Sequence, residues 1–257
     1  MIVRARVPTR IDFLGGGSDA PPFSAEHGGA VVNGAISRYA VCTLETGGHL
    51  EGIEIESVDF GRTVRAESVE ALRFDGTLDL LKAVIRRSGL AGPFRMRTEV
   101  DLPLESGLGA SGAVTISVLA ACRAALGRPI DPSELTEQSF AAERLDLGLP
   151  GGKQDQCGAA WGGIRCYEFK DPEVTVHDAE LPPELVAELE HRLLLSYTGV
   201  SHLSNNIHAD IRAAYGDDAS PCKRAMFGLA RIAREGLTLL RQGRLEPFAR
   251  LLDENWR

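Results

Sequence analysis

The chain opens on alternation. In "IVRARVP", from Ile2, apolar and polar residues take turns with the period of two that marks a strand with one wet face. The pattern runs into a glycine cluster at 15–17, a turn signal. "AVVNGAISRYAVCTLE" then reads as two short strands, "GIEIES" and "TVRAES" as two more, and "PFRMRTEV" as another. One helical stretch interrupts them. In "TLDLLKAVIRRSG", Leu80, Leu81, Val84 and Ile85 share a face, and Gly89 suits a helix C-terminus.

Beyond residue 105 the period changes. Ala113 to Leu126 carries no charge except Arg123, which predicts a helix buried on most sides. "DPSELTEQSFAAERLDLG" has the clearest helix start, with Asp131 as cap and Pro132 at the first helical position. "GIRCYEF" and "RLLLSYT" read as strands. From Pro221 the pattern is helical, with Met226, Leu229, Ile232, Leu237 and Leu240 on one stripe. A second helix carries Leu245, Phe248, Leu251, Leu252 and Trp256.

Composition narrows the class. With 257 residues, 44% apolar and 25% charged, the chain suits one large or two modest globular domains. A net charge of −8 without any polybasic block argues against a nucleic-acid partner. No apolar run approaches the roughly 20 residues of a membrane span. The arginines of "MIVRARVPTRID" are not those of a signal peptide. Five scattered cysteines with no CxxC read as the reduced thiols of a cytoplasmic protein, not a disulfide frame or a zinc site.

The chemistry concentrates in "LPLESGLGASGA". Three glycines and two serines fall between Ser106 and Gly112, at the mouth of the buried helix. Glycines let backbone approach a ligand closely, and a helix start offers N–H groups and the positive end of the dipole. The Walker A and Rossmann patterns are absent. Two readings stand: a phosphate loop of another kind, or a flexible loop capping a core helix.

The spacing resembles the second motif of the GHMP kinases (galactokinase, homoserine kinase, mevalonate kinase, phosphomevalonate kinase), P-x-x-x-G-L-G-S-S-A. Pro103, Gly107, Leu108, Gly109 and Ser111 fit; Ala110 replaces the first serine and Gly112 the alanine. "PTRIDFLGGGSD" resembles the first motif, P-G-R-V-N-L-I-G-E-H-T-D in galactokinases, with Arg10, Asp12, Gly15 and Asp19 in step. "AAERLDLGLPGGKQDQCGA" resembles the segment carrying G-x-x-D-Q, at Gly152, Asp155 and Gln156, with Glu143 on the preceding helix. "GGGSD" followed by "EHGGAVVNGAISRY" resembles the heptose 7-phosphate kinases and the related L-fucokinases. Gly17, where fucokinases more often have tryptophan, favours the former.

The resemblance implies an α+β, two-domain fold. An N-terminal ATP- and sugar-binding domain with a mixed sheet would span 1–180, and part of a C-terminal α/β-sandwich domain 181–257. It implies ATP and Mg²⁺ as cofactors and a small sugar or sugar phosphate as partner, in the cytoplasm; a homodimer is a further candidate assembly. The implied reaction is phosphorylation of the anomeric hydroxyl of D-glycero-D-manno-heptose 7-phosphate, or of L-fucose or another free sugar. Pro103, Glu105, Ser106, Gly107, Leu108, Gly109, Ala110, Ser111 and Gly112 would hold the nucleotide, and Ser111 and Glu143 the metal. Asp155 would be the base and Arg10 the cation beside it. Lys153 is an alternative cation that would share a face with Asp155 on an extended segment. Gly16, Gly17, Ser18, Asp19 and Gly152 would meet the sugar.

Blander readings remain for each: a turn aspartate at 155, a solvated Glu143, an Arg10 paired only with Asp12. In "SHLSNNIH", His202, Asn205 and Asn206 would share a helix face, holding a sugar or a remote phosphate or merely facing solvent. Heptose kinases tend to have arginine where His202 stands, and a neutral histidine binds a distal phosphate less well. Nothing after residue 163 resembles the family's third glycine-rich motif, so an incomplete second domain is expected. That opens two further readings: a non-catalytic sugar or nucleotide binder, and a partner protein docked through its last helices.

Overall fold

The computed structural model describes residues 1–103, 105–199, 210–211, 213–216 and 220–257. Two antiparallel strands carry the fold, β1 (Ile2–Leu14) and the 18-residue β2 (Gly29–Thr46). β1 takes one edge of β2. On the other edge β3 (Ile53–Ser57) and β4 (Arg62–Ala66) join through β5 (Phe94–Val100), which pairs the C-terminal half of β2. β6 (Ile164–Lys170) pairs its N-terminal half, and β7 (Glu173–Asp178) lies outside β6. The result is a seven-stranded mixed sheet in which β3 and β5 run parallel.

Residues 30–45, expected as two short strands, form one strand because its irregularity does not end the ladder. Pro8 pairs with Tyr39 but Thr9 with Ile36, so two extra β2 residues are accommodated there. This slip matters for chemistry. Before it, Val3, Ala5 and Val7 pack into the first apolar core. After it, Arg10 and Asp12 take that side, while Ile11, Phe13 and Leu14 pack into a second core. The bulge turns a polar pair into a layer that apolar residues fill elsewhere.

That layer is helical. α1 (Phe23–His27) is a short turn of helix after the glycine cluster. Of α2 (Asp79–Ser88), α3 (Ala110–Ala125), α4 (Pro132–Ala141) and α5 (Gln154–Trp161), α3 and α5 lie along the sheet, and α2 and α4 pack against α3. Val84, Ile116 and Leu119 pack with Leu44, Ile55 and Met96. Burying each such side chain stabilises by about 1.5–3 kcal/mol. α4 begins as its sequence demands: the Asp131 carboxylate accepts from Glu134 N–H at 2.9 Å and Pro132 opens the first turn. On the opposite face, after α6 (Pro183–Arg192), lie α7 (Pro221–Arg241) and α8 (Leu245–Trp256). Met226, Ala233, Leu240 and Phe248 pack there with Leu14, Val32 and Cys166, and Phe13 meets Phe248 edge-on at 5.8 Å.

"RLLLSYT" differs from its reading. Residues 193–198 form no strand, and Leu194 is 92% exposed. Apolar composition alone does not make a strand; it needs a ladder partner, and no described strand pairs with it. All five cysteines are unpaired, four of them buried. Among the described residues no helix is long and apolar enough to cross a membrane.

Candidate active site

The glycine loop, described from residue 105, leads through 105–109 into α3. Gly109 is the N-cap in the left-handed conformation (φ 71°), which glycine adopts without strain. Ala110, Ser111 and Gly112 form the first turn, whose N–H groups have no acceptor within the helix. Ser111 is exposed, while the Ser106 hydroxyl is buried without a partner. Pro103, Glu105 and Gly107 are exposed and Leu108 half-buried.

Arg10 ties this loop to α5. Its backbone N–H donates to Leu108 O at 3.1 Å and its Nη1 to Gly107 O at 2.7 Å. Nε (3.1 Å) and Nη2 both donate to Asp155 Oδ1. The guanidinium is 8% exposed and the Asp155 side chain 31%, so the carboxylate keeps an open side. Asp155 lies in the first turn of α5, and Gly112 is what lets α5 come so close. A Cβ on Gly112 would stand 2.8 Å from Asp155 Cβ and 2.9 Å from its carbonyl carbon. The glycine that departs from the motif's alanine is therefore demanded by packing.

Glu143 enters from a π-helical turn, Ala142–Asp146, an irregularity frequent at functional sites. Its Oε2 accepts from Gln156 Nε2 at 2.9 Å and lies 3.2 Å from Arg144 Nη2. Its Oε1 is buried with no partner. Burial pushes the carboxyl up to about 7, and the Asp155 charge acts the same way against Arg144 and Gln156. The neighbouring Arg144 clasps the loop that leads into α5, donating to the carbonyls of Leu149, Gly151 and Gly152.

The 15–19 loop lies beside this pair, but its contacts differ from expectation. Ser18 was expected at the sugar. Its hydroxyl is instead fully buried between Gly15 O (2.7 Å) and Ala30 (O at 3.0 Å, N–H at 3.1 Å), where it pins the loop to β2. Asp19 was expected to meet sugar hydroxyls. Its carboxylate is buried and accepts from the N–H groups of Gln154 (3.1 Å) and Gly17 (3.2 Å), so it holds the start of α5. Gly152 makes room for it, since a Cβ there would fall 1.8 Å from Asp19 Oδ2.

Lys153 does not share a face with Asp155. Residues 154–161 are helical, not extended, and successive odd positions diverge on a helix. The Lys153 ammonium is buried and donates to Glu137 (2.8 Å) and Pro172 O (3.1 Å), with Asp171 at 3.5 Å and the Phe140 ring beneath it. His202 lies outside the described residues.

Three residues gain weight from the structure. Asp12 shares the Arg10 face, with one carboxylate oxygen against Gly16. Asn33, its cross-strand partner, donates to Gln154 O at 3.1 Å. Arg144 carried no sequence signal. Asn33 did, as a lone amide among the apolar residues of "AVVNGA". A concavity of about 530 Å³ beside Gly52, Ile53 and Arg65 touches none of these groups.

Comparison with known proteins now decides the family. Residues 76–163 match the GHMP kinases N terminal domain. The D-glycero-alpha-D-manno-heptose 7-phosphate kinase of Campylobacter jejuni is 30% identical over 264 residues, covering 99% of this chain and 76% of the relative. The chain belongs to the GHMP kinases. The crystal structure of a D-glycero-D-manno-heptose 1-phosphate kinase from Bacteriodes thetaiotaomicron superposes with a TM-score of 0.84 at 32% identity, covering 100% of this chain and 78% of that one. The Arabidopsis thaliana bifunctional fucokinase/GDP-fucose pyrophosphorylase is 25% identical; the match covers 99% of this chain and 26% of that protein.

A GHMP kinase with these heptose kinase relatives, the protein is a sugar kinase, a phosphotransferase with an alcohol group as acceptor. Among the described residues no three acidic, cysteine or imidazole side chains are grouped to hold a metal by themselves, so a divalent cation would take few protein ligands here. Asp12, Asp19, Asp155 and Glu143 gather around Arg10 and Arg144. The unpartnered Glu143 Oε1 and the exposed Ser111 hydroxyl are the hard oxygen donors that Mg²⁺ takes.

Proposed function

We propose that this kinase transfers the γ-phosphoryl group of ATP to the anomeric hydroxyl of D-glycero-D-manno-heptose 7-phosphate. One observation carries the reading: the Arg10–Asp155 pair is fastened to the carbonyl of Gly107 in the phosphate loop. Phosphoryl transfer is chiefly positioning and charge neutralisation. Asp155 takes the proton of the attacking hydroxyl on its open side. Arg10 fixes that carboxylate and stabilises charge on the transferred group. The loop 103–109 and the first-turn N–H groups of Ala110, Ser111 and Gly112 cradle the phosphates. Mg²⁺, when bound by Ser111 and Glu143, supplies charge neutralisation across the phosphates.

The acceptor rests on the relatives. One is named for a heptose 7-phosphate and another for a heptose 1-phosphate. Only the 7-phosphate leaves the anomeric hydroxyl free to react. Residues 1–180 form the ATP- and sugar-binding domain in this reading and 181–257 part of the second, in a cytoplasmic enzyme.

The test is phosphorus NMR of the protein with Mg-ATP and, separately, heptose 7-phosphate, L-fucose and D-galactose. An anomeric phosphate on the heptose, absent with Asp155→Asn, is expected. Product from L-fucose or galactose alone reassigns the acceptor, and no product from any of the three overturns the reading.

A further inference from the structure

We propose that Asp12 is the acceptor-binding carboxylate of this site. It accepts a hydroxyl of the sugar other than the one that reacts, and so holds the ring in register with Asp155. This rests on the sugar-kinase reading above.

The reason begins with the loop. Of the two acids that frame residues 15–19, Asp19 is buried and engaged with backbone N–H groups at the start of α5. Asp12 is partly open. It follows Arg10 by two positions on one strand, so both side chains leave the same face. Galactokinases read asparagine and glutamate at the motif positions held here by Asp12 and Gly16. The two positions meet in space: a Cβ built on Gly16 would fall 1.7 Å from Asp12 Oδ2 and 2.8 Å from its Cγ. The Asp12 carboxylate thus occupies the place from which a side chain at 16 would grow. Glycine at 16 and aspartate at 12 are two halves of one arrangement.

The surroundings ask for donors. Asp12 Oδ1, Asn33 Oδ1 and Gln154 Oε1 are all buried and accept no hydrogen bond. Asn33 already donates its amide to Gln154 O, and Gln154 Nε2 lies 3.3 Å from Asp19 Oδ1. The Gln154 amide also serves the Asp12 carboxylate, but these three oxygens are left without a donor, and a polyol's hydroxyls would bring donors to them.

Gly16→Ala gives a test that does not depend on deleting the acid. Gly16 is not in the left-handed region, and the three atoms nearest to an alanine Cβ there all belong to the end of the Asp12 side chain, which must be displaced. Asp12→Ala, Gly16→Ala and the double variant are compared with wild type in steady-state kinetics on heptose 7-phosphate at saturating Mg-ATP. Mg-ATP affinity is read by titration calorimetry. Each single change is expected to raise KM for the sugar about tenfold or more, as the loss of a charged hydrogen bond does, with Mg-ATP affinity within twofold of wild type. Gly16→Ala is expected to add nothing on the Asp12→Ala background. If Asp12→Ala keeps KM within twofold while the wild type turns over, the assignment fails and the kinase reading survives. Additive single changes, or equal losses of Mg-ATP affinity, also overturn it, since a structural role produces those. If the wild type yields no product with any of the three sugars, calorimetric titration of each sugar decides. Heat from wild type that Asp12→Ala lacks supports the assignment; equal heats, or none from wild type, overturn it.

Discussion

Arg10 and Asp155, 145 residues apart, meet as a fork on a single oxygen: Nε at 3.1 Å and Nη2 both donate to Oδ1. The remaining nitrogen of the guanidinium reaches Gly107 O at 2.7 Å, and the Arg10 N–H reaches Leu108 O at 3.1 Å. One residue on β1 therefore sets the distance between the loop proposed to hold the nucleotide and the proposed base. The β-bulge between Pro8 and Thr9 is what turns Arg10 to that side.

That linkage separates two substitutions. Asp155→Asn keeps the shape but cannot take a proton, so kcat should fall by about 10²–10⁴-fold while Mg-ATP affinity stays near wild type. Arg10→Lys keeps the charge and loses the fork. It should lower kcat by about a hundredfold and also raise KM for ATP, because the Gly107 tether goes with it. Steady-state kinetics and calorimetry with Mg-ATP read both. An Arg10→Lys enzyme within threefold of wild type in both constants would show that the fork positions nothing.

Gly112→Ala tests the crossing of α3 and α5. The added Cβ would press against the Cβ and main chain of Asp155, which have no flexible end to yield. Overpacking of this kind costs about 1–3 kcal/mol, read as a lowered urea midpoint. Because the atom that must move belongs to the proposed base, kcat should fall about tenfold or more with little change in KM for ATP. A destabilised variant with unaltered kcat would place the catalytic group elsewhere.

Glu143→Gln addresses the metal. The side chain keeps its size and its place beside Gln156 but loses the charge of the unpartnered oxygen. Calorimetry of ADP with and without Mg²⁺ should show binding unchanged without metal and weakened by about tenfold or more with it. Equal losses in both titrations would assign Glu143 to the scaffold.

Much of this was legible in the chain. The loop at 103–112, the capped start at Asp131 and the order of the three motifs locate α3, α4 and α5, since each rests on local rules of spacing and capping. What escaped was long-range. Periodicity does not reveal that the irregularity between Pro8 and Thr9 changes the side that β1 presents, so Asp12 looked like a motif neighbour when it stands beside Gly16. Lys153 looked catalytic because two residues on a strand share a face. On the helix that forms, its ammonium turns to Glu137 and Asp171. Gly112 looked like a loss from the motif until α5 was seen to lie against it. Leu194 looked like strand interior because composition carries no information about the ladder a strand needs.

The folded protein should lose stability as pH rises from about 4 to about 7, and Asp12 should be one cause. Its carboxyl is pushed up from the ordinary aspartate range to about 7, first by burial. The charges of Asp19 and Asp155 act the same way; Arg10 and the Gln154 amide oppose them. In the unfolded chain the group titrates near 4. Between those values the folded state holds a proton that the unfolded state has released, so each step up in pH favours unfolding. Asp12→Asn removes the titration and keeps the shape. Its melting temperature should match wild type near pH 4 and exceed it by several degrees at pH 8, the gap opening between pH 5 and 7. Calorimetric melting across that range reads the difference. A constant gap from pH 5 to 8 would mean that Asp12 is ionised throughout and that its partners solvate it fully.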